Sequence, residues 1–313
     1  MSEKLFTVSS SPHIKSKDSV NTIMRDVVIA LMPALIAGVI YLGIGALVVT
    51  IACVVSCVVF EYLFQKITKR PITIKDLSAV VTGILLAYNL PPTAPIWICV
   101  VGSAVSIIVV KCFFGGIGQN IVNPALLGRA FLLSAYPGHM TQWTLNGVST
   151  ATPLAIAKYG GGSMPSIADA FLGNVGGCIG EISALALLIG FAYLLYRKVI
   201  TFHIPVAYIG TTLILTLILG FIGRDSFTVN QAIIEMFSGG LMIGAIFMAT
   251  DYTTSPMTKK GQVIFGICCG ILTTVIRIFG GYAEGVSYSI LIMNLFVPII
   301  DKYVKPRAFG EVK

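Results

Sequence analysis

Four stretches of this 313-residue chain hold polar residues at spacings that apolar packing alone does not call for. Gly115 to Arg129 reads GGIGQNIVNPALLGR. Asn120 and Asn123 are three apart and share a face if the stretch is helical, and Pro124 suits the first turn of a helix that starts where the chain re-enters an apolar phase. Amides there can hydrogen-bond the edge of a heterocycle. Arg129 follows inside an apolar run, where a cation needs a bound cofactor, a phosphate or a carbonyl cluster as its partner, or else snorkels to a water-filled crevice. Ser149, Thr150, Ala151 and Thr152 lie in NGVSTATPL, Asn146 to Leu154; by composition alone they are hydroxyls near a turn. Ala249 to Lys260 reads ATDYTTSPMTKK, in which Asp251, Thr254 and Ser255 line an ion or cofactor vestibule or form a solvated helix cap. In RIFGGYAEG, Arg277 to Gly285, Arg277 and Glu284 are spaced for a surface ion pair, which contributes little stability.

The elements that position these residues follow from composition. The chain is 56% hydrophobic and 11% charged, more apolar surface than one soluble core of this length can hide. A bilayer core of about 30 Å takes roughly 20 apolar residues per helix. The sequence predicts an all-α membrane protein with ten transmembrane helices, near 26–43, 45–64, 77–90, 95–114, 120–136, 178–196, 204–223, 232–250, 262–279 and 284–301.

Charge predicts the orientation. Residues 1–25 lack an apolar stretch followed by a small-residue cleavage site, so they read as a cytoplasmic tail that is not removed. With ten spans the inner side holds Lys66, Lys69, Arg70, Lys75, Lys111, Arg197, Lys198, Lys259, Lys260, Lys302, Lys305, Arg307 and Lys313. With the tail's four cations, that is 17 of 21 basic residues, as cytoplasmic enrichment of Lys and Arg requires. Residues 302–313 are then a cytoplasmic tail, and 137–177 is an outer loop whose only basic residue is Lys158. A loop of roughly forty residues without the charges that favour disorder is expected to be functional. The net charge of +8 follows from topology and contact with anionic lipid, and no basic patch with interleaved aromatics indicates nucleic acid.

The halves resemble each other. Thr82 to Ala87 (TGILLA) matches Gly244 to Ala249 (GAIFMA), and Lys111 to Gly116 (KCFFGG) matches Ile276 to Gly281 (IRIFGG). Two five-helix units, 26–136 and 178–301, are therefore expected. Because five is odd, the second is inverted, and irregular, Gly-rich pieces should meet near the interface and line a site. Close helix packing is the alternative use of the same glycines.

Other chemistry is not supported. The seven cysteines lie in or beside apolar spans without a CxxC pair, and they read as packing residues. The three histidines have no zinc spacing, and neither GxGxxG after a strand nor a Walker sequence occurs. Glu61, Glu181, Glu235 and Asp251 fall near predicted span ends, so no proton relay is expected within this chain, and ion movement is expected to involve partner subunits.

The order GGIGQNxxNPAxxG, then GVSxATPL, then ATDYxTSP closely resembles RnfD, the D subunit of the Rnf electron-transport complex, over nearly the whole chain, with the B subunit of the sodium-pumping NADH:quinone reductase as the next relative. The resemblance implies ten spans with an inverted repeat, and FMN joined to Thr152 by a phosphoester, with Ser149 and Ala151 as recognition positions; Thr150, at the variable position of the motif, is the alternative acceptor. It also implies noncovalent riboflavin, for which Gly115, Gly116, Asn120 and Asn123 on the inner side are the candidates, with Arg129, Asp251 and Thr254 as further cofactor-binding positions. The implied setting is the bacterial cytoplasmic membrane, with Rnf subunits A, B, C, E and G and either Na+ or H+ as coupling ion. From the fold alone, a channel of the ammonium or urea type remains the other reading.

Overall fold

The computed structural model describes residues 19–145, 148–160, 162–223 and 227–305. Asn146, Gly147 and Gly161, with most of both tails, lie outside them. The described chain is helical apart from a two-stranded hairpin, β1 (Thr144–Leu145) paired antiparallel with β2 (Val148–Ser149).

Among the described residues, five helices are long and apolar enough to cross a membrane: α1 (Val20–Leu42), α2 (Ile44–Ile67), α10 (His203–Gly223), α13 (Lys259–Phe279) and α14 (Val286–Tyr303). A sixth candidate is the bent pair α11 (Val229–Phe237) and α12 (Leu241–Met248). The remaining apolar segments are shorter: α3 (Ser78–Tyr88), α4 (Ile96–Cys112), α5 (Pro124–Ala135) and α9 (Ala184–Tyr196). The stretch predicted as a long loop, 137–177, adds α6 (Pro137–Met140), α7 (Pro153–Tyr159) and α8 (Ile167–Leu172), so it is wound into short helices. The chain is a multi-pass membrane protein.

The short elements shape the centre. With 11 residues, α3 rises only about 16 Å, half of a bilayer core. Its terminal carbonyls would be orphaned in an apolar phase, but Gly180 N donates to Tyr88 O at 3.0 Å and Ile179 N to Leu90 O at 3.1 Å. The predicted span 178–196 is therefore a turn in its first part, with Glu181 N on Cys178 O at 3.2 Å, and helical only from Ala184. Predicted span 232–250 bends by 58° between α11 and α12, where Gly239 and Gly240 both take φ near +69°, a conformation that disfavours a Cβ. Arg277, on α13, closes that break: its guanidinium donates to the carbonyls of Glu235 (2.9 Å), Ser238 (3.1 Å) and Gly239 (3.3 Å). The expected Arg277–Glu284 pair does not form, because Arg277 is buried and its donors go to backbone acceptors that lipid cannot satisfy.

Lys111 also departs from expectation. It lies within the fold, 2% exposed, its Nζ 2.8 and 2.9 Å from the Glu61 oxygens and 2.6 Å from Ser78 Oγ. A buried cation with a carboxylate and a hydroxyl is satisfied in place of solvation.

α2 and α3 approach closely at Gly83, where a Cβ would come 2.7 Å from Val54 Cα and 3.1 Å from Cys53 O. Both are backbone atoms that cannot swing aside. Gly83→Ala is expected to cost about 1–3 kcal/mol, the usual range for overpacking, read as a lower melting temperature of the detergent-solubilised chain. An unchanged melt would show that the two helices can part freely.

Candidate functional site

Two cavities flank the half-helix α5. Its first turn is set by Asn123, whose Oδ1 accepts from Ala125 N (3.1 Å) and Leu126 N (3.3 Å), with Pro124 at the first helical position. Asn123 is thus a cap, and Asn120 precedes the helix in irregular chain, so the two amides do not share a helix face as expected.

The smaller cleft, on the side that the charge pattern predicts to be inner, is nevertheless lined by Asn120, Asn123 and Asp251, with Lys111 and Ser78 on its wall. Asn120 Oδ1 has no partner among the described residues. Thr254 is buried behind the cleft and donates to Asp251 Oδ2 at 3.3 Å, while Thr253 N donates to Oδ1 at 3.4 Å. Asp251 is therefore both a wall residue and a turn cap. Gly115 and Gly116 do not line the cleft; they form the positive-φ turn that ends α4, with Gly116 N on Lys111 O at 3.0 Å. The cleft holds about 100 Å³, against the roughly 300–1,000 Å³ usual for cofactor pockets.

Burial pushes the Asp251 carboxyl above the ordinary carboxylate range, and its hydrogen bonds from Thr253 and Thr254 pull it partly back. The folded chain then binds this proton more tightly than the unfolded chain, so the group favours folding as pH falls through the raised value and opposes it at neutral pH. Asp251→Asn should melt no lower than the parent at neutral pH and gain less on acidification. A clear loss at neutral pH would mean that the charge itself is stabilising.

The cavity on the side predicted to be outer is larger, about 520 Å³. It gathers five of the predicted site residues, Arg129, Ser149, Thr150, Ala151 and Thr152. Thr152 is 4% exposed and caps α7, its Oγ1 accepting from Ala155 N at 3.2 Å, with Pro153 first in the helix. Thr150 Oγ1 is buried without a partner among the described residues. The opposite wall is the turn from α13 to α14, to which α7 is tied: Lys158 Nζ donates to the carbonyls of Arg277 and Tyr282 (both 2.9 Å) and of Gly280, and Tyr159 Oη to Gly281 O (2.6 Å). Trp143, Tyr159, Tyr282 and Tyr288 supply aromatic faces, and the rings of Tyr282 and Tyr288 are stacked with centroids 5.7 Å apart.

Arg129 forms the cavity floor. Its partners within the protein are side chains and not a carbonyl cluster: Nη2 is ion-paired with Glu284, and Nη1 donates to Ser287 Oγ (2.7 Å) and Asn89 Oδ1 (3.3 Å). Its Nε has no partner among the described residues. Glu284 is the carboxylate that the spacing with Arg277 had suggested for a different pair. Asn89 and Ser287 carried no signal in the sequence beyond an amide and a hydroxyl at the edge of apolar runs.

Asn89 joins the two cavities. Asn123 Nδ2 donates to Met248 O (3.2 Å), Asn89 Nδ2 approaches Met248 Sδ (3.7 Å), and Asn89 Oδ1 receives Arg129. Along α5, Ala125 on the cleft and Arg129 on the cavity are separated by about 6 Å of helical rise.

Comparison with known proteins decides the family. The model of the NQR2, RnfD, RnfE family matches residues 7–310. The chain belongs to that family. The D subunit of the Na+-translocating ferredoxin:NAD+ oxidoreductase complex of Acetobacterium woodii is 53% identical to this family member, covering 100% of this chain and 98% of that one. The D subunit of the proton-translocating ferredoxin:NAD+ oxidoreductase complex of Clostridium ljungdahlii is 46% identical, covering 98% and 97%. The D subunit of the ion-translocating oxidoreductase complex of Alcanivorax borkumensis is 36% identical, covering 97% and 96%.

Proposed function

We propose that this chain is the D subunit of an ion-translocating ferredoxin:NAD+ oxidoreductase, the Rnf complex, and that it carries FMN on Thr152. The names of full-length relatives at 53% and 46% identity support the first part. The second is carried by one observation: a buried threonine in an S-x-A-T sequence opens onto a cavity of cofactor size whose floor is an arginine.

The residues present fit such a group. The Thr150 hydroxyl and the Arg129 Nε are buried polar atoms left over for a ligand, and the aromatic faces suit a flat ring. When bound, FMN supplies one- and two-electron redox chemistry. Thr152 would hold the phosphate end, and Arg129 and the aromatic side chains that line the cavity would be available to the rest of the group. Noncovalent riboflavin in the inner cleft belongs to the same reading. The unpartnered Asn120 Oδ1 supports it, and binding requires the cleft to open from about 100 Å³.

In this reading the protein sits in the cytoplasmic membrane with residues 1–25 and 302–313 inside and the 137–177 region outside, working with Rnf subunits A, B, C, E and G. The flavin then faces a neighbouring subunit's cofactor at the outer surface. The repeats 26–136 and 178–301 are inverted: α2 packs on α3 and α4 as α10 packs on α12 and α13, and α5 meets α14 where the two units join. The coupling ion is Na+ or H+, since relatives are named for each.

Peptide mass spectrometry after co-expression with a flavin transferase tests the proposal. The peptide containing Thr152 should gain the mass of FMN less water, and the denatured band should fluoresce under ultraviolet light. A colourless chain without that mass would favour the channel reading instead.

A further inference from the structure

A carboxylate in a membrane interior is paired with a cation, held by several donors, or neutral. Glu181 meets neither of the first two conditions. It lies in the turn before α9 and is 7% exposed, its Oε1 accepting from Cys178 N at 2.6 Å. Its Oε2 has no partner among the described residues. Backbone closes around the group: a Cβ at Gly177 would come 2.7 Å from Oε1, and one at Gly240 3.3 Å from Oε2. Both wall positions are glycines, so the carboxyl fills space that a side chain would take.

The charged and titratable neighbours are committed elsewhere. From α5, Arg129 is ion-paired with Glu284 of the α13–α14 turn, and on the Glu181 side it reaches only Cys178 Sγ, at 3.9 Å. From α13, Arg277 gives its donors to three carbonyls, one of them that of Glu235 on α11. From α3, Tyr88 donates to Leu31 O at 2.6 Å. Arg129 is thus bound to Glu284, and the hydrogen bonds of Arg277 go to neutral carbonyls rather than to Glu181. Among the described residues no cation pairs with Oε2, and a proton there neutralises the carboxylate with no other ligand.

We propose that Glu181 is a proton-binding site at the junction of the helix breaks, exchanging its proton with the solvent of the outer cavity, whose wall Glu284 forms. Negative charge added in that cavity draws on Arg129 and Glu284 and tightens the hold of Glu181 on its proton; removing that charge loosens it. The protonation stands on this chain's own geometry, while the response to redox charge rests on the flavin reading.

Infrared difference spectroscopy of the purified complex separates the two. With dithionite as reductant, the wild-type complex should show a carboxylic-acid C=O band that shifts in D2O and changes on reduction. The band should be absent from Glu181→Gln, displaced in Glu181→Asp and weakened at neutral pH in Glu284→Gln, which frees Arg129 to stabilise an ionised Glu181. In a Thr152→Val complex the band should persist in acid-minus-alkaline spectra while its response to reduction is lost; persistence of that response would overturn the flavin link and leave the proton site standing. A spectrum with no Glu181-dependent band overturns the proposal. So does a band that disappears on adding sodium chloride at constant pH, which would make the occupant Na+.

Discussion

Thr152→Val should leave the chain without covalent flavin. Valine keeps the shape and the extended backbone of a helix cap, so the substitution removes the nucleophilic oxygen and one hydrogen bond from Ala155 N, at 3.2 Å. Loss of such a cap costs about 1 kcal/mol, too little to unfold a domain that packs α7 beneath the α13–α14 turn through Lys158 and Tyr159. In-gel fluorescence should therefore disappear while membrane insertion and yield persist. Thr150→Val is the matched control, since its hydroxyl lines the same cavity two residues away. It should keep the covalent flavin and bind it less firmly. Fluorescence surviving in Thr152→Val but not in Thr150→Val would move the attachment to Thr150.

The outer site was more legible in the sequence than the inner one, for a physical reason. Ser149 to Thr152 lie in contiguous chain, and α7 begins at the hydroxyl that caps it, so a local motif fixes the geometry. Arg129 announced itself by being a cation in an apolar run. Its partner did not, because Glu284 arrives from 155 residues away and sequence spacing matched it to Arg277, seven positions earlier. Arg277 was misread because the need for a guanidinium lay in the break between α11 and α12, which a hydropathy window sees as one continuous span. The same blindness hid Glu181: a span predicted over 178–196 put that carboxylate near a span end, whereas the segment is a turn hydrogen-bonded to the end of α3. All ten apolar stretches carry helix, while half-helices show only in structure, since apolar composition does not record where a helix stops.

Arg129→Met should be the most damaging substitution at the site. It leaves Glu284, Asn89 and Ser287 facing an apolar side chain, and removing one partner of a buried pair typically costs about 3–5 kcal/mol because the other charge stays buried. The loss should appear as a large fall in the denaturant midpoint of the detergent-solubilised chain. Glu284→Gln leaves the cation but keeps an acceptor for it, so its cost should be smaller. The double variant Arg129→Met with Glu284→Gln carries no unpaired charge and should recover part of the stability lost in Arg129→Met. That recovery separates the penalty of a stranded carboxylate from simple loss of packing around the arginine stem. If the double variant instead loses the sum of the two single changes, the ion pair does not couple these residues, and Arg129 is held by Asn89 and Ser287 alone.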